Sequence, residues 1–497
     1  MTLRVDIDHL RRILGASLPT GARAAELFIE SRLSVHVGVT MSADGAAAAP
    51  TVERRWETGA HLRRFSHGGD RRDVRHESFV LDAPTAGTLE ALALHPEAVA
   101  VEWLDGPPPL GIARDNQRSE PVEARLADAS PSALTGAWSS GFLATATGLL
   151  SSWIGAIAGG LAGGPASGTD GFCSASLDAS VQEILLLATD RDPARDTRSS
   201  VVATLRASVS GGGASDQVNP LEEIRSAATL EELARFASKD LHPAVQLSAR
   251  AGRRLEAAPA PRGEMPVVFA SPSGGFLLHE VCGHLLEADH VLRGVTPFAS
   301  ARGLAIASPL LTLVDDGSIP GMRGSALFDD EGVACRRTPL IMDGTLVGFL
   351  SDRLTAVATD GISTGNGRRQ SYRDAPMPRM TNLVIDPGQD TFERILATTR
   401  TGLLVTRLGR GRVDPASGRF VLAVDEAFLI ENGRVTSPVA GAVLRGRAAD
   451  LLMKIDAIGC DPVSDTGSPV CVKEDQAIPF GILQPTLRVS SMSVGDR

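Results

Sequence analysis

Three dipeptides in the second half of the chain, Asp316-Gly317, Asp343-Gly344 and Asn432-Gly433, separate runs of apolar and β-branched residues. Such pairs close antiparallel hairpins because both residues tolerate positive φ. The segments "TPLIMDGTLVGFL" and "AFLIENGRVTSP" are the clearest cases. Helical spacing interrupts the strands near "TFERILATT" and "GRAADLLMKIDAIG", with no βαβ alternation and no fixed-period repeat. The expected class is α+β, with two domains of mostly antiparallel sheets and packed helices.

The first half reads differently. It opens with a helix-like stretch, and "ELFIESRLSVHVGV" alternates as a half-buried strand does. Further on, "EILLLATD" and "SSVVATLRASVSGGG" read as two strands ending in a glycine turn. The segment "AAPAPRGE", Ala257 to Glu264, has the composition of a linker. It divides an N-terminal domain, 1–256, from a C-terminal domain, 264–497, and 497 residues with 43% hydrophobic suffice for two cores.

Charge narrows the function. A net charge of −10 carries no basic footprint for nucleic acid. The arginine-dense "ERRWETGAHLRRFSHGGDRRDVRHE" is interleaved with Glu53, Glu57, Asp70, Asp73 and Glu77 and reads as a solvated face. Five scattered cysteines without a CxxC pair fit a reducing, cytoplasmic compartment, and "MTLRVDIDHLRRILG" lacks the apolar run of an export signal. From Ser130 to Thr169 there is no charge, and the stretch is long enough to span a bilayer, with Gly-x-x-x-Gly at Gly155 to Gly159. Its glycines, serines and threonines dilute hydropathy and no Lys/Arg anchors flank it. A buried or interface helix followed by a Gly-rich loop is expected there, rather than a membrane span.

The chemistry concentrates in "GGFLLHEVCGHLLEADH", Gly274 to His290. The strand "MPVVFASP" precedes it, and the spacing of Phe276, Leu277, Leu278, Val281, Leu285 and Leu286 predicts a helix. Imidazoles four residues apart on a helix lie about 40° from alignment, whereas His279 and His284, five apart, diverge by about 140°. A shared metal ion therefore requires a widened turn, such as a π-bulge, or a backbone loosened at Gly283. Given that, the two imidazoles suit zinc, and Glu280 is placed as the general base. Spacing alone leaves the third ligand open among Cys282, Glu287, Asp289, His290 and the distant cysteines. A buried structural histidine pair is the alternative.

Beyond this motif the chain resembles the TldD/PmbA metallopeptidases, and specifically their zinc-bearing TldD branch. The resemblance runs through "LVDDGSIPGMRGSALFDDEG", "GNGRRQSYRDAPMPRMTN", "GRFVLAVDEAFLIENGRV" and "VCVKEDQAIPFGILQPTLRV" in the family's order. It implies zinc held by His279, His284 and a distant cysteine at Cys471, with Glu280 as base. It also implies hydrolysis of unstructured peptides, and a homodimer or a heterodimer with a metal-less paralogue. Tyr372, Arg368, Arg369 and Arg379 lie in the resembling blocks, open between substrate contact and structural pairing. The family commonly has glycines where this chain has Val472 and Asp475, and larger side chains there would narrow substrate access. That departure favours, as an alternative, a biosynthetic amide hydrolase acting on a small peptide-like intermediate. A peptide-binding subunit without turnover is the other alternative.

Overall fold

The structure, a computed structural model, describes residues 7–16, 18, 22–41, 49–67, 74–82, 88–89, 140–163, 171–209, 221–235, 243–359, 361–465, 467 and 470–496. The fold is α+β, with mostly antiparallel strands.

One sheet belongs to the first half: β1 (Ala22–Met41), β2 (Thr51–His67), β3 (Val74–Asp82), β4 (Gly171–Ala188), β5 (Ala194–Val209) and β6 (Leu221–Ala227), in the order β3-β2-β1-β4-β5-β6. Period-two alternation along β1 gives its faces different tasks. Leu27 and Ile29 pack with Leu10 and Leu14 of α1 (Ile7–Ala16). Farther along the same face, Val35, Val37 and Val39 meet Ala146, Leu150, Trp153, Ile154 and Ile157 of α2 (Ser140–Gly163). These α2 residues recur at helical spacing and are buried, while Gly148, Ser151, Ser152 and Gly155 are exposed. Where a buried or interface helix is expected, this one is packed on one apolar side only, with small or polar residues on the other and 28% of Gly141–Gly159 buried. Gly141–Gly159 is long and apolar enough to cross a membrane by length and composition, at mean hydropathy 1.4. Residues 130–139 and 164–169 of the uncharged stretch lie outside the described residues.

The opposite face of β1 corrects one expectation. Glu26, Phe28 and Glu30 pair in register with Arg63, His61 and Gly59 of β2. All are buried, Glu26, His61 and Arg63 completely. Among the described residues, the start of the arginine-dense segment is a solvated face and residues 59–65 are buried. Its middle is covered by the second half of the chain, and 68–73 lie outside the described residues. Arg63 bonds Glu26 and Glu331, Arg353 reaches Glu26 at 3.1 Å, and Arg198 reaches Asp330 at 2.7 Å. Burial pushes the Glu26 carboxyl up, but Arg63, Arg191, Arg369 and Arg353 outweigh it and hold the group at about 2.

In the second half, the strands Gly263–Phe269, Thr401–Val413, Arg419–Glu431, Ala442–Arg447 and Leu487–Asp496 close into a ring, because Thr401–Val413 pairs with both Gly263–Phe269 and Arg419–Glu431. A second sheet contains Leu313–Asp316, Asn382–Ile385 and Gly481–Gln484. Between them lies the motif segment. Leu277, Leu278, Val281, Cys282, Leu285 and Leu286 are fully buried, in one core with Val267 and Phe269 of the ring and Leu313 and Leu383 of the sheet.

Two of the three expected turns are tight hairpins. Asp343-Gly344 (φ 46° and 79°) and Asn432-Gly433 (φ 52° and 75°) each join directly paired residues. Asp316-Gly317 is different. The Asp316 carboxylate accepts from the Ser318 amide and hydroxyl, which turns the chain outward, and pairing with Asp316 resumes only at Arg337.

Candidate metal centre

The strand Gly263–Phe269 leads into a short helix, Ser273–Leu278, where Gly275 allows close approach. A Cβ there would lie 2.0 Å from Ile482 Cγ2. The helix then widens into a π-turn over His279–Gly283. The His284 amide donates to the carbonyl of His279, five residues back, so residues i and i+5 share a face. This is the geometry the five-residue spacing demanded. The His279 and His284 ring centroids are 4.8 Å apart, with planes at 72°. Gly283 serves another purpose than loosening the backbone. Its φ and ψ are both −53°, ordinary for a helix, but an added Cβ would sit 2.2 Å from Met380 Sδ.

Cys471 arrives from far away in sequence. It lies in the strand Val470–Lys473, which pairs with Gln476–Pro479 across the turn Glu474-Asp475. The strand alternates, with Cys471 and Lys473 buried while Val470 and Val472 are 43% and 65% exposed. Arg379 holds this hairpin in place. Its guanidinium donates to the carbonyls of Cys471 at 2.5 Å and Gln476 at 3.3 Å.

His279, His284 and Cys471 each bring one ligand atom to within 4.8 Å of the others, and Cys471 Sγ lies 3.1 Å from His284 Nε2. All three residues are buried. Burial pushes the Cys471 thiol up, but the His279 and His284 rings outweigh it and bring it down to about 5. For His284, burial opposes the charge, yet Glu287 and Cys471 raise it to about 10.

His279 gives the test of whether these residues suit a metal. Its ring is 0% exposed and stacks on Phe480 at 3.8 Å. Among the described residues, neither of its nitrogens has a hydrogen-bond partner. A buried polar atom left so costs about 1–3 kcal/mol, and a cation accepting its lone pair would satisfy it. Ligand atoms around tetrahedral zinc lie roughly 3.3–3.7 Å apart, given bonds of about 2.0–2.3 Å. Two imidazoles and a thiol within 4.8 Å of one another fit that requirement.

The remaining sequence candidates separate clearly. The Glu280 side chain is 19% exposed, with Oε1 3.9 Å from His279 Nε2, so it stands beside the cluster and open to solvent. Cys282 is fully buried in the core, and burial pushes its thiol up to about 12. Glu287 backs His284, its Oε2 lying 3.2 Å from Nδ1. Glu287, Asp289 and His290 form a second group with metal-ligand spacing, but the Lys473 ammonium lies 2.8 Å from both carboxylates. Val472 faces away from Cys471, so it does not crowd the cluster.

Tyr372, Arg368 and Arg369 make structural bonds. The Tyr372 hydroxyl donates to Asp82, its amide donates to Glu30, and its ring fills the space over Gly59. Burial, followed by Asp82, raises its phenol above the usual range. Arg368 donates to the Met380 carbonyl at 2.6 Å, and Arg369 lies 4.2 Å over the Phe28 ring. Sequence reasoning missed Lys473. Its rarity was a signal, since it is one of three lysines, with Lys239 and Lys454, among 49 basic residues.

A buried, metal-capable pair of imidazoles with a thiol, held on a widened helical turn of an α+β fold, defines the class. Comparison with known proteins finds relatives that are named metalloproteases. The model of the PmbA/TldA metallopeptidase C-terminal domain matches residues 262–496. The metalloprotease TldD homolog of Haemophilus influenzae is 38% identical over 326 residues, covering 65% of this chain and 67% of that one. The zinc metalloprotease TldD homolog of Saccharolobus solfataricus is 30% identical over 251 residues, covering 50% of this chain and 55% of that one. Among solved structures, TldE from Thermococcus kodakarensis superposes with a TM-score of 0.68 at 18% identity, over 98% of this chain and 99% of that one. The chain belongs to the PmbA/TldD metallopeptidase family.

Proposed function

We propose that this protein is a zinc-dependent peptidase in which His279, His284 and Cys471 hold the ion and Glu280 is the general base. The observation that carries the reading is the convergence of those three ligand atoms within 4.8 Å, with both nitrogens of His279 unpartnered and a part-exposed carboxylate alongside. The relatives named metalloproteases support it at the level of the reaction class. When bound, the ion supplies Lewis acidity, polarising a scissile carbonyl and making water a stronger acid.

The chain's own residues do the rest. Glu280 takes the proton of the attacking water and delivers it to the departing amine. The Phe480 ring fixes the His279 plane, and the Arg379 bond to the Cys471 carbonyl fixes the hairpin that presents the thiolate. The proposed substrates are unstructured peptides. Because Val472 points outward, it gives no reason to favour a small amide. The assembly is a homodimer or a heterodimer with a metal-less paralogue, in the cytoplasm.

The test pairs metal content with turnover. The parent is expected to hold about one zinc per chain, and Cys471→Ser to lose most of it. Glu280→Gln is expected to keep the zinc while cleavage of unfolded peptides falls by about 10²–10⁴-fold. A zinc-free parent after metal supplementation, or full activity in Glu280→Gln, would overturn the assignment. Parallel assay of small amides decides the substrate class.

A further inference from the structure

His284 is held from behind by a buried charged pair that the proposed reaction does not use. We propose that Glu287 and Lys473 are positioning residues that orient His284 toward the metal; this rests on the zinc site proposed above. Glu287 is 0% exposed and its Oε2 lies 3.2 Å from His284 Nδ1 and 2.8 Å from Lys473 Nζ. The ammonium also donates to Asp289 at 2.8 Å and to the Pro378 carbonyl at 3.2 Å, which uses all three of its protons.

An imidazole that binds a metal through Nε2 carries its proton on Nδ1, and a carboxylate accepting that proton selects the tautomer and fixes the ring plane. Glu287 is in that position, and Nε2 of the same ring points at Cys471 Sγ, 3.1 Å away. A buried carboxylate stays ionised only if its charge is matched, which is the part Lys473 plays. His290 does not displace His284 as the donor to Glu287, because its own Nδ1 donates to the His284 carbonyl at 2.7 Å and lies 4.0 Å from Glu287 Oε2.

The arrangement ties two remote segments together twice. Cys471 and Lys473 sit two residues apart on the buried face of one strand. One residue meets the front of His284 and the other meets the carboxylate behind it. Glu287, Asp289 and His290, which look like a second metal group, are accordingly a lysine site, with the ammonium where an ion would stand.

The experiment measures zinc affinity of the full chain by chelator competition, together with apo-protein melting and the absorption bands of the cobalt-substituted protein. The variants are Glu287→Gln, which keeps an acceptor, Glu287→Leu, Lys473→Met, and the double Glu287→Leu/Lys473→Met, in which both charges leave together. Replacing a buried pair by apolar residues preserves folding better than removing one member, so the double variant separates positioning from stability. Its expected result is an apo melting temperature near the parent's, a zinc Kd raised about 10–100-fold, and shifted cobalt bands. Glu287→Gln falls between it and the parent. Parent-like affinity and cobalt bands in the double variant would overturn the proposal; should that variant not fold, the same result in Glu287→Gln and Lys473→Met would do so. A parent that binds no zinc would instead overturn the metal site itself.

Discussion

The hairpin that carries Cys471 turns through Glu474 and Asp475, at φ 48° and 60°, with no glycine in either place. Asp475 is exposed, and no hydrogen bond or ion pair of its side chain occurs among the described residues. Asp475→Gly therefore removes strain without removing a contact. The left-handed region costs an L-residue roughly 1–2 kcal/mol, aspartate standing at the lower end. Glycine gives back about 0.4–1 kcal/mol through the greater freedom of the unfolded chain. With aspartate at about 1 kcal/mol, the difference is a stabilisation of up to about 0.6 kcal/mol, which raises the melting temperature by up to about 2 °C for a cooperative unit of a few hundred residues. Asp475→Asn and Asp475→Ala are expected to change little, because neither removes a side-chain hydrogen bond and both keep a Cβ in the left-handed region. Thermal and urea unfolding of the four proteins side by side is the assay. A glycine variant that melts below the parent, with alanine above it, would refute the reasoning from φ.

Other expectations concern the surface between the two halves. Burial, then Glu331, pushes Asp329 up to about 8 and Asp352 up to about 7. Both carboxyls bind protons in the folded state over a range where the unfolded chain has released them, so their contribution to stability is full below about pH 4 and is lost as pH rises through 7 to 8. Asp352→Asn should remove its share of that slope, up to about 1.4 kcal/mol per pH unit; urea midpoints at pH 5 and pH 8 that move in parallel for parent and variant would contradict this. At Gly59 an added Cβ would lie 1.9 Å from the Tyr372 ring, which Asp82 and Glu30 hold at either end. Gly59→Ala should lose about 1–3 kcal/mol and lose less in a Tyr372→Ala background, and equal losses in both backgrounds would show that the ring is not what it meets.

Much of the candidate site was legible because covalent spacing and helix geometry are rigid. Histidines five apart can converge only across a widened turn or a loosened backbone, and the π-turn at His279–Gly283 is the former. Asp343-Gly344 and Asn432-Gly433 announced their hairpins through residues that accept positive φ. Glu474-Asp475 makes a similar turn without that chemistry and so left no mark in the sequence. The resemblance brought in Cys471, which no local pattern could place. The alternation of β1 suggested a strand with one wet face, yet Glu26 and Glu30 are buried. Charges look alike in sequence whether water or an oppositely charged partner surrounds them. Their partners, Arg353 and Tyr372, are more than 300 residues away along the chain.

That last contact surface changes how loss of activity in this protein should be read. Glu26 and Arg63 touch nothing in the metal cluster, but each is wholly buried against charges supplied by the half that bears it. Removing either strands its counterpart away from water, so a survey of random substitutions would score these two positions as harshly as the histidines, for reasons of assembly rather than chemistry. For the same reason, a C-terminal fragment expressed alone would carry Glu331 and Arg353 without the Arg63 and Glu26 that face them. Its inactivity would say little about whether the candidate site residues it retains are sufficient.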